Sequence, residues 1–335
     1  MLNISALSKE LFKLLSTSGN ILIISHVNPD GDAIGSQLAL YHYLQANSIK
    51  AEMLSPNHIQ EFLKWMDGTE LIKIYIKNQK KYKKLINDSD LIVMVDFNHS
   101  DRLGEAEKTV MNSSAKKVII DHHLDPETFA SITISDPSKC STSELMYMLI
   151  SEMNGGPFLH KQYAEAVYVG IVTDTGNFEY GNYSGETLRI VAGLLDQGIE
   201  KDRIYNLIYK NFSIDRLKLQ GFVLCERMVV IPEISTAYIK LTREDLTSHN
   251  YTIGDTEGFV NIPLSIKGID FSALMIEKKD FIKLSFRSRG NFPVNEFATK
   301  YFSGGGHMNA SGGEYPGSLE DAIAYFLKTV REIRG

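Results

Sequence analysis

Three short apolar runs in the first half of the sequence predict buried strands, and each run ends in polar side chains. The runs lie within Ile21–Ile24, 90–96 and 117–120. A helical pattern follows the first run, with apolar residues spaced by four and three positions at Ile34, Leu38, Tyr41 and Leu44. Because strands alternate with helical patterns, we expect an α/β fold with a doubly wound, mostly parallel sheet.

The remaining patterns predict the other elements of two domains. In the first part they are an amphipathic helix within 1–15, strands at Ala51–Ser55 and Ile132–Ser135, and helical segments at 141–153, 163–172 and 183–211. In the second they are strands at Met228–Ile231 and Thr236–Leu241, a helical piece at 257–266, a hairpin of 271–276 with 281–286, a helix at 294–302, a glycine-rich loop at 303–313 and a helix at 319–333. We expect a domain at 1–190, a helical linker at 191–212 and a smaller α/β domain at 213–335, with a cleft between the domains.

The turn after the first strand carries an imidazole and two carboxylates within seven residues. His26, Asp30 and Asp32 lie between a strand and a helix, where open α/β sheets bind ligands. Pro29 fixes its own backbone, and Gly31 permits a tight turn. The same residue types also occur in a simple capping turn, in which an Asp before the helix is the N-cap. Taken alone, this stretch leaves both interpretations open.

Side chains of the same kind follow two more strands and one helix. Asp96 ends the second strand, the third is followed by Asp121, His122 and His123, and a helical segment leads to Asp174. Because parallel strands share one carboxyl edge, we expect these side chains to gather there. A structural N-cap is the alternative for Asp174. Crowded carboxylates repel one another unless cations compensate them, so the pattern predicts a pair of divalent metal ions.

The overall charge argues against a protein that holds long nucleic acid. The 335 residues include 35 Lys and Arg against 41 Asp and Glu, which gives a formal net charge of −6. A protein that binds long duplex DNA through its phosphates is usually more basic, so an anionic ligand is expected to be small. A polyanion site is the alternative for the lysine-rich run at 77–84, but we favour a solvated helix face.

Cysteine usage and hydropathy indicate the compartment. Cys140 and Cys225 form no CxxC pair, which favours a reducing environment and two core residues over a thiolate metal site. No apolar run approaches the roughly 18 to 20 residues that span a bilayer, and the N-terminal stretch does not resemble a signal peptide. We expect a cytoplasmic protein without a membrane partner, as a monomer or homodimer.

Three glycines before a histidine mark the candidate site of the second part. The run is Gly304, Gly305, Gly306 and His307. Glycines let backbone amides approach an anion closely, and the histidine can add a hydrogen bond or a positive charge. Arg287 and Arg289 could each bind two phosphate oxygens. A flexible glycine hinge is the alternative.

In combination, the motifs resemble the DHH phosphoesterases that carry a DHH-associated C-terminal domain. The resemblance spans nearly the whole chain and rests on the run from His26 to Asp32, Asp96, the triplet from Asp121 to His123, Asp174 and the run from Gly304 to His307. The compact plan looks like the NrnA-type branch, whose members are bifunctional oligoribonucleases and pAp phosphatases. RecJ-type exonucleases are much longer, and family II pyrophosphatases lack the glycine–histidine loop.

The resemblance implies a role for each residue. One metal ion would be bound by His26, Asp30 and Asp96, and the other by Asp32, Asp96, His122 and Asp174. Asp121 would support the neighbouring imidazole, and His123 would face the substrate phosphate, where it would stabilise charge or protonate the leaving oxygen. In the second domain, the substrate would be held by Arg287, Arg289, Gly304, Gly305, Gly306, His307 and Asn309.

The activity that the resemblance implies is metal-dependent hydrolysis of short RNA and pAp. RNAs of about two to five nucleotides would yield 5′-mononucleotides, and pAp would lose its 3′-phosphate. Both reactions break a bond from phosphorus to a 3′-oxygen, and the attacking water would be activated by two metal ions. The resemblance favours manganese as the metal, with magnesium, cobalt and zinc as the alternatives. The alternatives are a phosphodiesterase for linear or cyclic dinucleotides, an inorganic pyro- or polyphosphatase, and a non-catalytic nucleotide sensor.

Overall fold

Each half of the chain forms a six-stranded sheet with its own hydrophobic core. The computed structural model describes residues 2–179 and 182–334. It divides into two units, Met1–Asn211 and Phe212–Gly335. The segment expected to be a linker, 191–212, packs Leu194, Ile204 and Ile208 into the core of the first unit, so that unit extends to Asn211 rather than ending at 190.

The first sheet is parallel throughout and has the strand order β3-β2-β1-β4-β5-β6. Its strands are β1 (Ile21–Ile24), β2 (Ala51–Ser55), β3 (Lys73–Ile74), β4 (Leu91–Val95), β5 (Lys116–Asp121) and β6 (Ile132–Ser135). From β1 the chain adds β2 and β3 on one side of the sheet and then β4, β5 and β6 on the other. The strand order therefore reverses between the neighbours β1 and β4, and sheets of this kind bind ligands at that point. The doubly wound parallel sheet is therefore confirmed.

Some helices of this unit pack against the sheet, and others pack against neighbouring helices. The helices are α1 (Ile4–Thr17), α2 (Gly31–Ala46), α3 (Gln79–Asn87), α4 (Glu107–Asn112), α5 (Thr142–Asn154), α6 (Lys161–Asp174), α7 (Gly185–Asp196) and α8 (Lys201–Tyr209). Helix α3 exposes its lysines and buries Ile86. Exposed lysines are compatible with both interpretations of the run at 77–84, so the solvated helix face stays a prediction.

Small residues let α2 and α6 pack closely. A Cβ atom at Gly35 would lie 2.6 Å from the carbonyl oxygen of Ala166, and one at Gly170 would lie 2.7 Å from Oδ1 of Asp32. Larger residues at these positions would push the two helices apart. The close packing brings the beginning of α2, with Asp32, next to the end of α6, with Asp174.

The second sheet is mixed and has the order β11-β12-β10-β9-β8-β7, in which β8 and β9 form the parallel pair. Its strands are β7 (Met228–Ile231), β8 (Thr236–Leu241), β9 (Phe271–Glu277), β10 (Ile282–Ser288), β11 (Gly305–His307) and β12 (Ala310–Tyr315). The helices are α9 (Ile214–Phe222), α10 (Arg243–Ser248), α11 (Val294–Tyr301) and α12 (Leu319–Arg334). Phenylalanines from β9, β10, α11 and α12 form the centre of the core.

The glycine-rich segment at 303–313 is a hairpin, so the loop expected there was wrong. Strand β12 pairs with β10 from Arg287 opposite Ala310 to Ile282 opposite Tyr315. The sequence of β12 has glycines at 312 and 313 and no apolar alternation, so its strand conformation comes from the ladder with β10 rather than from its own side chains. The patterns also missed β3, α4, α9 and α10.

Candidate metal centre

The carboxyl ends of β1, β4 and β5 bring the predicted ligand residues of the first unit together. His26 follows β1, Asp96 follows β4, and Asp121 is the last residue of β5. All three are at most 4% exposed. Parallel strands that end at the same edge therefore place one imidazole and two carboxylates at the point where the strand order reverses.

The first ligand group consists of His26, Asp30 and Asp96, each with one ligand atom within 4.8 Å of the others. Nε2 of His26 lies 3.3 Å from Oδ2 of Asp96 and 4.0 Å from Oδ1 of Asp30. Asp30 is also the N-cap of α2, since its Oδ1 accepts hydrogen bonds from the amides of Asp32 and Ala33. The two interpretations of this turn are therefore compatible, because the cap orients the carboxylate that faces His26.

The second ligand group consists of Asp32, His122 and Asp174. Nε2 of His122 lies 3.4 Å from Oδ2 of Asp174, 3.8 Å from Oδ2 of Asp32 and 3.7 Å from Oδ1 of Asp96. Asp174 is the last residue of α6, so the N-cap interpretation of this residue was wrong. Asp96 joins the two groups, since Oδ2 faces His26 and Oδ1 faces His122.

The beginning of α5 holds Asp32 in place, a contact that the sequence analysis missed. The amides of Thr142 and Ser143 donate to the two carboxylate oxygens of Asp32 at 2.6 and 2.8 Å, and the Thr142 hydroxyl donates to Oδ1 of Asp96 at 3.0 Å. The N-terminal end of a helix favours a carboxylate through its free amides and its dipole. The cap at Ser141 is readable in the sequence, but nothing there indicates which carboxylate it faces.

Opposite pKa shifts mark two of the buried carboxyls. Burial raises the pKa of Asp32 well above its usual value, and the nearby charges of Asp96 and Asp174 raise it further. Burial also favours a raised pKa for Asp96, but its contacts with His26 and His123 outweigh this effect and hold the pKa well below the usual value. Without cations, the carboxyls therefore do not ionise alike, which is expected for crowded acidic groups.

Both histidines of the ligand groups are oriented as metal ligands usually are. Nδ1 of His26 lies 2.7 Å from the carbonyl oxygen of Val27, and Nδ1 of His122 lies 3.2 Å from that of Lys139. A carbonyl can only accept, so Nδ1 of each ring donates a proton to it, and Nε2 is the ring nitrogen that faces the carboxylates. The buried Nε2 of His26 has no hydrogen-bond partner within 2–179 and 182–334. The donor set and this unpartnered nitrogen fit divalent metal ions.

A third group lies beside the two ligand groups. Nδ1 of His123 is 2.7 Å from Oδ1 of the fully buried Asp121 and 3.6 Å from Oδ1 of Asp96. On the other side of the ring, Nε2 of His123 lies 3.3 Å from Nη1 of Arg102. Arg102 is a second residue that the sequence analysis missed, since a lone arginine six positions after Asp96 belongs to no pattern that it used.

In the second unit, the ladder places part of the predicted substrate site on one row of the sheet. Ala310 of β12 is paired with Arg287 on one side and with His307 on the other, so the three side chains share one face. The amide nitrogen of the Asn309 side chain donates to the Ser288 hydroxyl and to the Gly290 carbonyl, which braces the hairpin. Arg289 follows β10 and is exposed.

Two of the three glycines are required by packing within the hairpin. A Cβ atom at Gly304 would lie 1.9 Å from the carbonyl oxygen of Gly312. Gly306 has φ of 139°, and its Cβ would lie 2.6 Å from the carbonyl oxygen of Ala310. A Cβ at Gly305 would meet only Oγ1 of Thr299, at 3.9 Å. Close backbone approach between β11 and β12 is therefore a sufficient reason for Gly304 and Gly306.

Family models and a relative identify the chain. The model of the DHH family N-terminal domain matches residues 20–171, and that of the DHHA1 domain matches residues 234–334. A Thermus thermophilus protein named bifunctional oligoribonuclease and PAP phosphatase NrnA is 31% identical, over 95% of this chain and 91% of the relative. The chain belongs to the DHH family. As a DHH phosphoesterase it is a hydrolase, similar to NrnA.

Two solved structures resemble this one in fold. The crystal structure of an exopolyphosphatase-related protein from Bacteroides fragilis is 42% identical with a TM-score of 0.94, and the match covers 100% of this DHH chain and 98% of the other. RecJ from Thermus thermophilus, in complex with Mn²⁺, has a TM-score of 0.57 at 13% identity, over 98% of this chain and 54% of RecJ. RecJ shares the fold.

No helix among the described residues of this DHH protein is long and apolar enough to cross a bilayer.

Proposed function

We propose that this DHH protein hydrolyses short RNA to 5′-mononucleotides and removes the 3′-phosphate of pAp, with two divalent metal ions in the first unit. The observation that carries the proposal is the meeting of two ligand groups at Asp96, whose two oxygens face different imidazoles. A pair of ions that share one carboxylate is the usual arrangement for phosphoryl transfer. The name of the 31%-identical relative supports the choice of substrates.

The ligand residues divide into the two groups that the structure brings together. His26, Asp30 and Asp96 would hold one ion, and Asp32, Asp96, His122 and Asp174 the other. Manganese is the preferred ion, because imidazole with carboxylates suits it and RecJ of the same fold binds Mn²⁺. When bound, the ions would activate a water for attack on phosphorus and neutralise the charge of the phosphate.

The other residues of the centre position these ligands and the phosphate. The N-terminal end of α5 fixes the carboxylate of Asp32, and the carbonyls of Val27 and Lys139 fix the imidazoles. Asp121 holds His123, whose Nε2 faces a guanidinium rather than carrying a proton toward solvent. These contacts occupy both ring nitrogens and favour a positioning role for His123 over proton donation to the leaving oxygen.

The second unit would recognise the end of the substrate away from the scissile bond. Arg287 and His307 lie on one row of the sheet and offer a guanidinium and an imidazole to a phosphate. Arg289 would add a second, exposed cation. Gly304, Gly305, Gly306 and Asn309 would shape the hairpin that presents these groups.

A substrate panel tests the proposal. The Mn²⁺-loaded protein is incubated with pAp, RNAs of two to five nucleotides, a long RNA, linear and cyclic dinucleotides, pyrophosphate and polyphosphate, and the products are separated by ion-exchange chromatography. We expect mononucleotides from the short RNAs and phosphate from pAp. Little turnover of these two substrates, with rapid turnover of another member of the panel, would contradict the proposal.

Polyphosphate hydrolysis is the second candidate. The 42%-identical Bacteroides fragilis protein is named as exopolyphosphatase-related. The same metal centre could cleave a phosphoanhydride without contact to a base. Preference for polyphosphate over pAp in the same panel would favour this candidate.

A further inference from the structure

A half-buried arginine lies beside the metal centre and forms no ion pair with its carboxylates. Arg102 belongs to the segment Ser100–Ala106, which follows β4 and Asp96. Within 2–179 and 182–334, no carboxylate oxygen lies within 4.0 Å of its guanidinium. An arginine that stays unpaired next to several carboxylates keeps its positive charge available for another anion.

Two contacts fix the position of Arg102. Its backbone carbonyl accepts a hydrogen bond of 2.8 Å from the amide of Val27, the neighbour of His26. Its side chain reaches Nε2 of His123 at 3.3 Å. The backbone contact ties the segment to the end of β1, and the side-chain contact ties the guanidinium to the end of β5.

The hydrogen bonds among Arg102, His123 and Asp121 have one consistent assignment of donors and acceptors. A guanidinium can only donate, so Nε2 of His123 accepts from Arg102 and the ring proton lies on Nδ1. Nδ1 is 2.7 Å from Oδ1 of Asp121, and Oδ2 of Asp121 accepts from the amide of His123 at 3.1 Å. The fully buried carboxylate thus orients the imidazole, and the imidazole orients the guanidinium.

We propose that Arg102 binds the phosphoryl group of the substrate and that His123, held by Asp121, positions it for this contact. The inference rests on the proposed function. A guanidinium has five N–H donors, and the one side-chain hydrogen bond of Arg102 within the described ranges uses one of them. The remaining donors can form the paired hydrogen bonds that phosphate oxygens accept. Their charge would stabilise the negative charge that grows on the phosphoryl oxygens.

Steady-state kinetics test the role of Arg102 in turnover. We expect Arg102→Ala and Arg102→Gln to lower kcat/KM for pAp by about 10²- to 10³-fold, which is the usual loss for a missing donor to the transition state. Binding of Mn²⁺, measured by titration calorimetry, should not change. Lys117→Met is the matched control, because Lys117 is a half-buried cation at the opposite end of β5 that donates to the Ser113 and Ala115 carbonyls. Wild-type kcat/KM in both Arg102 variants would overturn the inference.

A double-mutant cycle tests the positioning by His123. If the imidazole acts through Arg102, the double variant His123→Ala with Arg102→Ala should lose about as much kcat/KM as the more impaired of the two single variants. Losses that multiply would show that the two side chains act independently and would overturn the positioning role. Thermal unfolding of each variant confirms that the fold is retained, and the backbone bond to Val27 does not depend on the Arg102 side chain.

Phosphate binding separates this inference from the proposed function. Inorganic phosphate is titrated into the Mn²⁺-loaded protein, a measurement that needs no turnover. We expect Arg102→Ala to weaken phosphate binding at least tenfold and Lys117→Met to leave it unchanged. If phosphate binding depends on Arg102 in this way but the protein hydrolyses neither pAp nor short RNA, the proposed function is rejected and the inference about Arg102 stands. Equal phosphate affinity in folded, Mn²⁺-loaded wild type and Arg102→Ala would overturn the inference.

Discussion

The candidate residues of the two units differ in how firmly the fold holds them. In the first unit, Asp32, Asp96 and His122 are at most 5% exposed and are fixed by helix amides, carbonyls and one another. In the second unit, Arg289 is exposed, and Arg287 on β10 and His307 on β11 are half-buried. The buried group has its geometry set before any ligand arrives, whereas the exposed cations can adjust to the ligand that they bind.

This difference predicts a division of labour. Buried, preorganised ligands act on the reacting bond, so changes in the first unit should lower kcat. The less buried cations of the second unit contribute to binding, so changes there should raise KM. The crowded carboxyls also lower the stability of the folded first unit, because they repel one another until cations bind.

The largest effect is expected at the residue shared by both ligand groups. Asp96→Asn should lower kcat for pAp by about 10³-fold or more, because both ions would lose a charged ligand. Mn²⁺ should raise the melting temperature of the wild type and not that of the variant, as calorimetry can show. Asp90→Asn, at the other end of β4, is the control. Wild-type turnover in Asp96→Asn would remove the contrast between the units.

The second prediction distinguishes the two arginines of the second unit. Arg287→Ala should raise KM for pAp by about 10- to 100-fold with little change in kcat, since a guanidinium–phosphate contact is worth about 1.5 to 3 kcal/mol. Arg289→Ala should have a smaller effect because its side chain is exposed. The control is Lys283→Ala, an exposed cation on the same strand. A fall in kcat without a change in KM would mean that this unit also acts on the reacting bond.

The third prediction concerns the glycines of the hairpin. Gly304→Ala should lower the free energy of unfolding by about 2 to 3 kcal/mol, because its methyl group would overlap a backbone carbonyl. Gly305→Ala is the matched control, since its methyl group meets only one side-chain oxygen at van der Waals distance. Urea unfolding measures both. Equal stability of the two variants would contradict the packing explanation.

The smallest effect is expected for a paired carboxylate in the second unit. Arg227 donates two hydrogen bonds to Asp245. Burial favours a raised pKa for Asp245, but Arg227 and Thr242 outweigh it and hold the pKa below the usual value. Asp245→Asn should therefore cost about 1 to 2 kcal/mol near neutral pH.

The pH dependence of this effect has a defined sign. The stabilisation by ionised Asp245 is complete above its unfolded pKa of about 4 and is lost as the pH falls through the lower folded value. Wild type and Asp245→Asn should therefore converge in stability as the pH falls from about 4 through the lower folded pKa. Asp280→Asn, an exposed residue, is the control for net charge. A difference in stability that stays constant down to low pH would contradict this account.

Much of the fold and of the candidate site could be predicted from local patterns. The strands Ile21–Ile24, Ala51–Ser55, Ile132–Ser135, Met228–Ile231 and Thr236–Leu241 were predicted with the bounds that the structure has, since each is a short run or alternation of apolar residues. The hairpin strand β12 could not be predicted, because its conformation depends on pairing with β10. Local signals also could not show that α7 and α8 pack into the core of the first unit.

By itself, the sequence determined which residue types stand at the ends of the strands and in which order, because a carboxylate after an apolar run is a local feature. That information was enough for the α/β fold and the set of candidate ligands. Only the tertiary structure decided which of them meet: Asp96 between two imidazoles, Asp32 on the amides of α5, and Arg102 on His123. Those contacts join residues up to 111 positions apart, and their geometry depends on helix packing through Gly35 and Gly170, whose consequences no local pattern contains.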